Sequence, residues 1–126
     1  MGHEFEPLSG RIIETAIQVH TALGPGFLES VYENAMKVAL TKAGLKFESQ
    51  KEIRVFYEGV EVGLHRLDLF VENQIIVELK AVKAFEDIHF AQLKSYLKAT
   101  GCQVGLLLNF NAPKLTIKRV VLGAPD

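Results

Sequence analysis

One cysteine in 126 residues is too few for an internal disulfide or a multi-cysteine zinc site, and it fits a reducing compartment. Cys102 reads as a small buried hydrophobe ahead of a strand. With only 4 Pro and 10 Gly beside 48% hydrophobic and 23% charged residues, the composition excludes disorder, collagen and low-complexity scaffolds. No apolar run approaches the roughly 18 residues of a membrane span. The opening residues Met1 to Pro7 are acidic and lack the basic and apolar regions of a secretory signal, so a cytoplasmic protein is expected. Net charge is scarce as well. Fourteen bases against fifteen acids leave −1, which argues against a protein held on nucleic acid by overall charge alone.

What charge there is lies unevenly. Residues 1–63 carry six bases and nine acids, and residues 64–126 carry eight bases and six acids. The stretch from Lys94 to Arg119 holds Lys94, Lys98, Lys114, Lys118 and Arg119 with no acid. Such a run is either a solvated face or a patch that meets phosphates.

Periodicity lays out the elements. Ser9 can cap a helix whose Ile12, Ile13, Ala16, Ile17, His20 and Leu23 recur at 3.6-residue spacing until Gly24-Pro25-Gly26 stops it. A second stripe, Leu28, Val31, Tyr32, Ala35, Ala39 and Leu40, runs to Gly44. The period then changes to two. Ile53, Val55 and Tyr57 alternate, Glu58-Gly59 turns, and Val62, Leu64, Leu67, Leu69 and Val71 form the return strand. After Glu72-Asn73-Gln74, Ile75 to Ala81 is a nearly continuous apolar strand of the kind buried at the centre of a sheet. A helix over 86–99, ended by Gly101, carries Phe90, Leu93 and Leu97 on one face and His89, Gln92 and Tyr96 on the next. Strands over 104–108 and 115–121 complete the order α-α-β-β-β-α-β-β, a single α/β domain over 1–126 with a central mixed sheet flanked by helices.

Two charged residues, Glu78 and Lys80, interrupt the central strand. Charged side chains are rarely buried unless paired, so these call for a use. Period-two geometry puts both on one face, with Leu79 on the other. If the hairpin loop is Glu72-Asn73-Gln74, Val71 pairs with Ile75, and counting inward sets Asp68 opposite Glu78; a two-residue loop would set it opposite Leu79. In the first register two carboxylates lie with Cβ atoms about 5 Å apart, close enough to share one hard cation. Adjacent carboxylates repel unless a cation neutralises them, and an all-oxygen pair selects Mg²⁺ or Mn²⁺ over zinc. Lys80 beside that cation can orient a water and offset charge on a phosphate. A plain salt-bridge cluster of Asp68, Glu78 and Lys80 is the competing account.

Asp68 followed by Glu78-Leu79-Lys80 across a hairpin resembles the core of the PD-(D/E)XK nuclease superfamily, whose α-β-β-β-α-β order matches the chain from the second helix onward. Gly26-Phe27-Leu28-Glu29-Ser30-Val31-Tyr32 fits the pattern that names the GxxExxY proteins of that superfamily. The likeness runs from about Ile12 to Arg119, taking in Leu23-Gly24-Pro25-Gly26 and Leu106-Leu107-Leu108-Asn109-Phe110. Leu67 stands where the signature proline would precede the aspartate. The resemblance implies a restriction-endonuclease-like fold and metal-dependent phosphodiester hydrolysis, with Asp68 and Glu78 as metal ligands and Lys80 as catalytic lysine. It also implies that Glu29 completes the metal site or its water shell, and that Gln92 and Tyr96, four apart, match a Gln-x-x-x-Tyr signature which helps hold site or nucleic acid. From its place at the edge of the second stripe Glu29 is expected to be half-buried. His20 reads as a core histidine, and His89 as a residue near the site.

The expectation is therefore a nuclease acting on DNA with Mg²⁺ or Mn²⁺, in which Tyr96, Lys94, Lys98, Lys114, Lys118 and Arg119 meet nucleic acid. With no further domain to read sequence or wrap a duplex, the chain is expected to form a homodimer, to accept a partner subunit, or to prefer particular structures or ends over sequences. The alternatives are a non-catalytic nucleic-acid or protein binding module on the same scaffold, and a hydrolase for a small phosphorylated molecule. The last lacks a Gly-rich phosphate loop.

Overall fold

A computed structural model describes residues 6–123. Its elements in chain order are α1 (Glu6–Leu23), α2 (Glu29–Lys42), β1 (Phe47–Tyr57), β2 (Val60–Val71), β3 (Ile75–Lys80), α3 (Asp87–Thr100), β4 (Val104–Asn109) and β5 (Thr116–Val121). The five strands form one sheet in the order β1-β2-β3-β4-β5, parallel only between β3 and β4 and antiparallel elsewhere. The α3 crossover supplies that parallel step, as a parallel pair requires. The fold is the expected mixed α/β sheet with helices on both faces.

Alternation along the central strands divides the core. Leu69, Val71, Ile75, Val77, Leu79, Leu106 and Leu108 pack with Ile12, Ala16, Tyr32, Met36 and Leu40 of α1 and α2. Phe70, Ile76, Leu107 and Val120 pack with Leu93 and Leu97 of α3. Because both faces are covered, β3 and β4 read as apolar runs instead of alternating ones. Glu78 and Asn109 are their only buried polar side chains, 5% and 2% exposed.

Several boundaries differ from the sequence expectation. The first helix starts at Glu6, so Ser9 lies inside it, buried, and does not cap it. In α2 the buried stripe is Tyr32, Met36 and Leu40, while Leu28 is the residue before the helix and 76% exposed. The turn through Gly24 and Gly26, with φ of +70° and +110°, sets that phase, which periodicity alone does not register. β1 begins at Phe47, six residues ahead of the first alternating apolar residue noted in the sequence. The Glu58-Gly59 turn is as read: both residues have positive φ, 50° and 80°, the requirement of a two-residue turn matched to strand twist.

β3 is half the length of its neighbour. It pairs with β2 only at Val71↔Ile75, Phe70↔Ile76 and Leu69↔Val77. Beyond that rung β1 and β2 continue as a two-stranded ribbon to the Glu58-Gly59 turn. The alternation also slips here. Leu67 packs in the same cluster as Phe70, three residues on, and Gln50, between the β1 residues that pair with Leu67 and Leu69, has φ of 56°. The site lies where the ribbon leaves the sheet.

Candidate active site and metal centre

The observed Val71↔Ile75 register, extended inward, sets Asp68 opposite Glu78. Each carboxylate reaches the other's strand. Asp68 N–H donates to Glu78 Oε2 at 3.0 Å, and Leu79 N–H donates to Asp68 Oδ2 at 2.9 Å. The two side chains thus replace the ladder bonds that end at Leu69↔Val77, which is why strands can part here without leaving backbone donors bare. Leu79 points the other way, 1% exposed in the core under α1 and α2.

Burial pushes Glu78 up to about 8, reinforced by repulsion from Asp68, with the Asp68 N–H and Lys80 acting in the opposite sense. Asp68 is raised too, chiefly by burial, against the pull of the Leu79 N–H. Glu33 and Glu29 add further negative potential at Asp68, and Lys80 acts against it on both carboxylates. This excess of negative over positive charge, added to burial, favours a proton on the pair where a cation would otherwise balance it. Among the described residues Asp68 Oδ1 and Glu78 Oε1 accept no hydrogen bond, and no buried side-chain oxygen lacks a partner, so both oxygens open to solvent. An all-oxygen pair with two free oxygens, starved of positive charge, fits a hard divalent cation.

Lys80 ends β3, half-buried, on the face of Glu78, and is level with Asn109 of β4. Glu29 opens α2 and is exposed, not half-buried; its Oε2 accepts from Ala81 N–H at 3.2 Å. Among the described residues no three His, Cys, Asp or Glu side chains converge as a metal-holding group, so Glu29 approaches the site through the backbone beside Lys80. Tyr96 of α3 faces the pair: burial raises its hydroxyl, and Glu78 and Asp68 raise it further. Its ring meets His65 of β2 at 5.3 Å. Gln92 is exposed one turn earlier on α3.

The basic run does not form one face. Lys94 and Lys98 are exposed on the flank of α3 away from Gln92 and Tyr96, and strand alternation turns Lys118 and Arg119 to opposite sides of β5. Lys114 sits in the β4–β5 loop, beside His20 and Thr21. His89 lies at the start of α3 and is engaged there: Glu86 N–H donates to its Nδ1 at 2.9 Å. His20 is the core histidine expected, donating from Nε2 to Ala112 O at 2.9 Å.

Two residues with a bearing on the site were not singled out in the sequence. Glu33, one turn after Glu29, accepts from Ser49 Oγ at 3.1 Å and from Gln50 Nε2 at 3.0 Å. Asn109 bonds the segment after Lys80 through Val82, with Nδ2 donating to its C=O at 2.8 Å and Oδ1 accepting from its N–H at 3.1 Å. Asn109 carried a signal, being polar at the end of the apolar run from Val104.

Residues 6–120 match the family model of the PD-(D/E)XK nuclease superfamily. The chain belongs to that superfamily. PD-(D/E)XK proteins are typically nucleases that use divalent metal ions. Among solved structures the chain is similar in fold to one described as "Crystal structure of SSO0001", with a TM-score of 0.58 and 14% identity over 97% of this chain. The chain spans 61% of that protein's length. No curated protein matches it. No helix among the described residues of this PD-(D/E)XK chain is long and apolar enough to cross a membrane.

Proposed function

We propose that this chain hydrolyses phosphodiester bonds in DNA, with Asp68 and Glu78 holding Mg²⁺ or Mn²⁺ and Lys80 acting on the attacking water. The observation that carries the proposal is the carboxylate pair at the strand fork, Glu78 buried and Asp68 half-buried, with Lys80 following on the same central strand, where charge is costly to bury. A bound divalent ion would supply a Lewis acid for the phosphate oxygens and lower the pKa of a water. Asp68 and Glu78 would anchor it through Oδ1 and Oε1. Lys80 would donate a hydrogen bond to the water and counter the negative charge that grows on the phosphate as the P–O bond to the leaving oxygen breaks. Tyr96 and Gln92 would border the strand being cut on the α3 side. Lys94, Lys98, Lys114, Lys118 and Arg119 would meet phosphates farther away.

One observation favours the binding-module reading. The ribbon exposes Phe56, Tyr57, Val60, Val62 and Leu64, each more than 40% accessible, and apolar clusters of that kind mark contact surfaces. Incubation with labelled single-stranded, duplex and branched DNA and with RNA, in Mg²⁺ or Mn²⁺, separates the two. Metal-dependent cleavage of DNA that disappears in Lys80→Ala supports the nuclease. Binding with no cleavage of any substrate supports the module.

A further inference from the structure

β3 ends at Lys80, and residues 81–86 belong to no helix or strand. Even so, three successive peptide groups after the strand are tied down. Lys80 C=O accepts from Phe110 N–H at 2.9 Å. Ala81 N–H donates to Glu29. Val82 is held at both its N–H and its C=O by the single side chain of Asn109. That amide is itself fixed, because Oδ1 also accepts from Asn111 N–H at 3.1 Å.

The two arms of this arrangement are joined. Phe110, next to Asn109, stacks on the buried ring of Tyr32 with centroids 4.6 Å apart and planes 19° from parallel. Tyr32 donates to Gly24 O at 2.6 Å and accepts from Phe27 N–H at 3.1 Å. It thereby locks the turn that delivers Glu29 to Ala81. Glu29, the turn that Tyr32 locks and the end of β4 meet at one stretch of backbone, the one that follows Lys80.

We propose that Asn109 is a positioning residue for Lys80, acting through the Val82 peptide, with Glu29 as its counterpart at Ala81. The catalytic consequence rests on the nuclease reading; the positioning itself does not. A lysine side chain is flexible, and a misplacement of about 1 Å at a reacting centre can cost about a hundredfold in rate. The end of a short strand whose next residues lack ladder partners is free to drift unless pinned. A carboxamide carries its acceptor and its donor on two separate atoms, one for each side of Val82, whereas an ionised Asp has no donor and a Ser has a single oxygen.

The test uses Asn109→Asp, which keeps Oδ1 and sets an oxygen against Val82 C=O, and Glu29→Ala against Glu29→Gln, which preserves an acceptor for Ala81. Hydrogen exchange should lose protection at Val82 in Asn109→Asp and at Ala81 in Glu29→Ala, while Glu29→Gln keeps it. The Lys80 side chain, followed by NMR at Cε, should become more mobile in Asn109→Asp. In cleavage assays Asn109→Asp should lower kcat about ten- to a hundredfold with KM within threefold. In a Lys80→Ala background it should cost nothing further. Unchanged Val82 protection and Lys80 mobility in folded Asn109→Asp would overturn the proposal, as would an equal loss of kcat with and without Lys80. If Asn109→Asp does not fold, the exposed Glu29 pair decides by the same Lys80 signal: no gain in mobility in Glu29→Ala overturns the clamp. A parent protein that cuts no substrate overturns the nuclease reading alone, since the exchange and NMR readouts need no turnover.

Discussion

Asp68 and Glu78 each accept a hydrogen bond from the strand that carries the other, at 3.0 Å from Asp68 N–H and 2.9 Å from Leu79 N–H. One oxygen of each carboxylate therefore serves the fold and the other faces outward. This division lets a pair of acids stay in place at a strand fork in the absence of a metal, at the cost of raised proton affinity. Structure and chemistry share the same two side chains.

That cost is measurable. Between the ordinary glutamate value of 4.5 and about 8, the folded metal-free protein keeps a proton on Glu78 that the unfolded chain has released. Where the native state binds more protons, stability falls as pH rises, so metal-free protein should be more stable at pH 5 than at pH 8.5 by on the order of a few kcal/mol from this pair. Urea unfolding in chelator should show the decline, and Glu78→Gln should flatten it. Parent and variant curves of equal slope would mean that the pair is not desolvated.

Much of this site was open to inference because its cause is local. A three-residue hairpin loop fixes the register, and register fixes which side chains are opposed, so Asp68 and Glu78 could be paired by counting. The phase of α2 could not be obtained that way. A turn with two positive-φ glycines decides where the helix begins, and it leaves Leu28 outside. Asn109 escaped for another reason: its partners are backbone atoms 27 residues away, and a contact of that sort leaves no period in the sequence. The spread of the basic run was not legible either, because closeness in sequence is not closeness in space: alternation sends Lys118 and Arg119 to opposite faces of β5.

Divalent metal should oppose the acid-pair penalty. A cation that binds the native pair and not the unfolded chain adds about 2.7 kcal/mol at a hundredfold excess over its Kd. For a domain of this size that is several degrees in Tm. Differential scanning fluorimetry in millimolar Mg²⁺ and Mn²⁺ should record the rise, and Asp68→Asn or Glu78→Gln should erase it. A parent Tm indifferent to both ions would count against the site.

The packing of α3 on the sheet gives a prediction independent of metal. A Cβ on Gly105 would lie 2.7 Å from Leu93 Cδ1 and 2.9 Å from its Cδ2 and Cγ, and Leu93 is fully buried. Overfilling such a contact typically costs about 1–3 kcal/mol. Gly105→Ala should lower stability by that amount in chemical denaturation. In a Leu93→Ala background, where the clash is gone, the same substitution should cost little. An undiminished penalty would place the strain in the backbone of β4 instead.

The last prediction separates chemistry from binding through lysines in different places. Lys80 stands beside the carboxylate pair, where one positioned charge is typically worth about 10² to 10⁴ in rate. Lys114 and Lys118 stand on a loop and an edge strand two strands away in the sheet order, where each would meet a phosphate at most. Lys80→Ala should thus remove most cleavage while leaving DNA affinity nearly unchanged. Lys114→Ala with Lys118→Ala should weaken binding and flatten the dependence of log Kd on log salt by about two, with little change in the rate of bound substrate. Single-turnover cleavage and fluorescence anisotropy across a salt series measure the two effects separately. If rate and affinity fall together in both variants, the roles are wrongly divided. If neither variant alters affinity, DNA follows another path across the protein, and the exposed ribbon of β1 and β2 becomes the surface to mutate next.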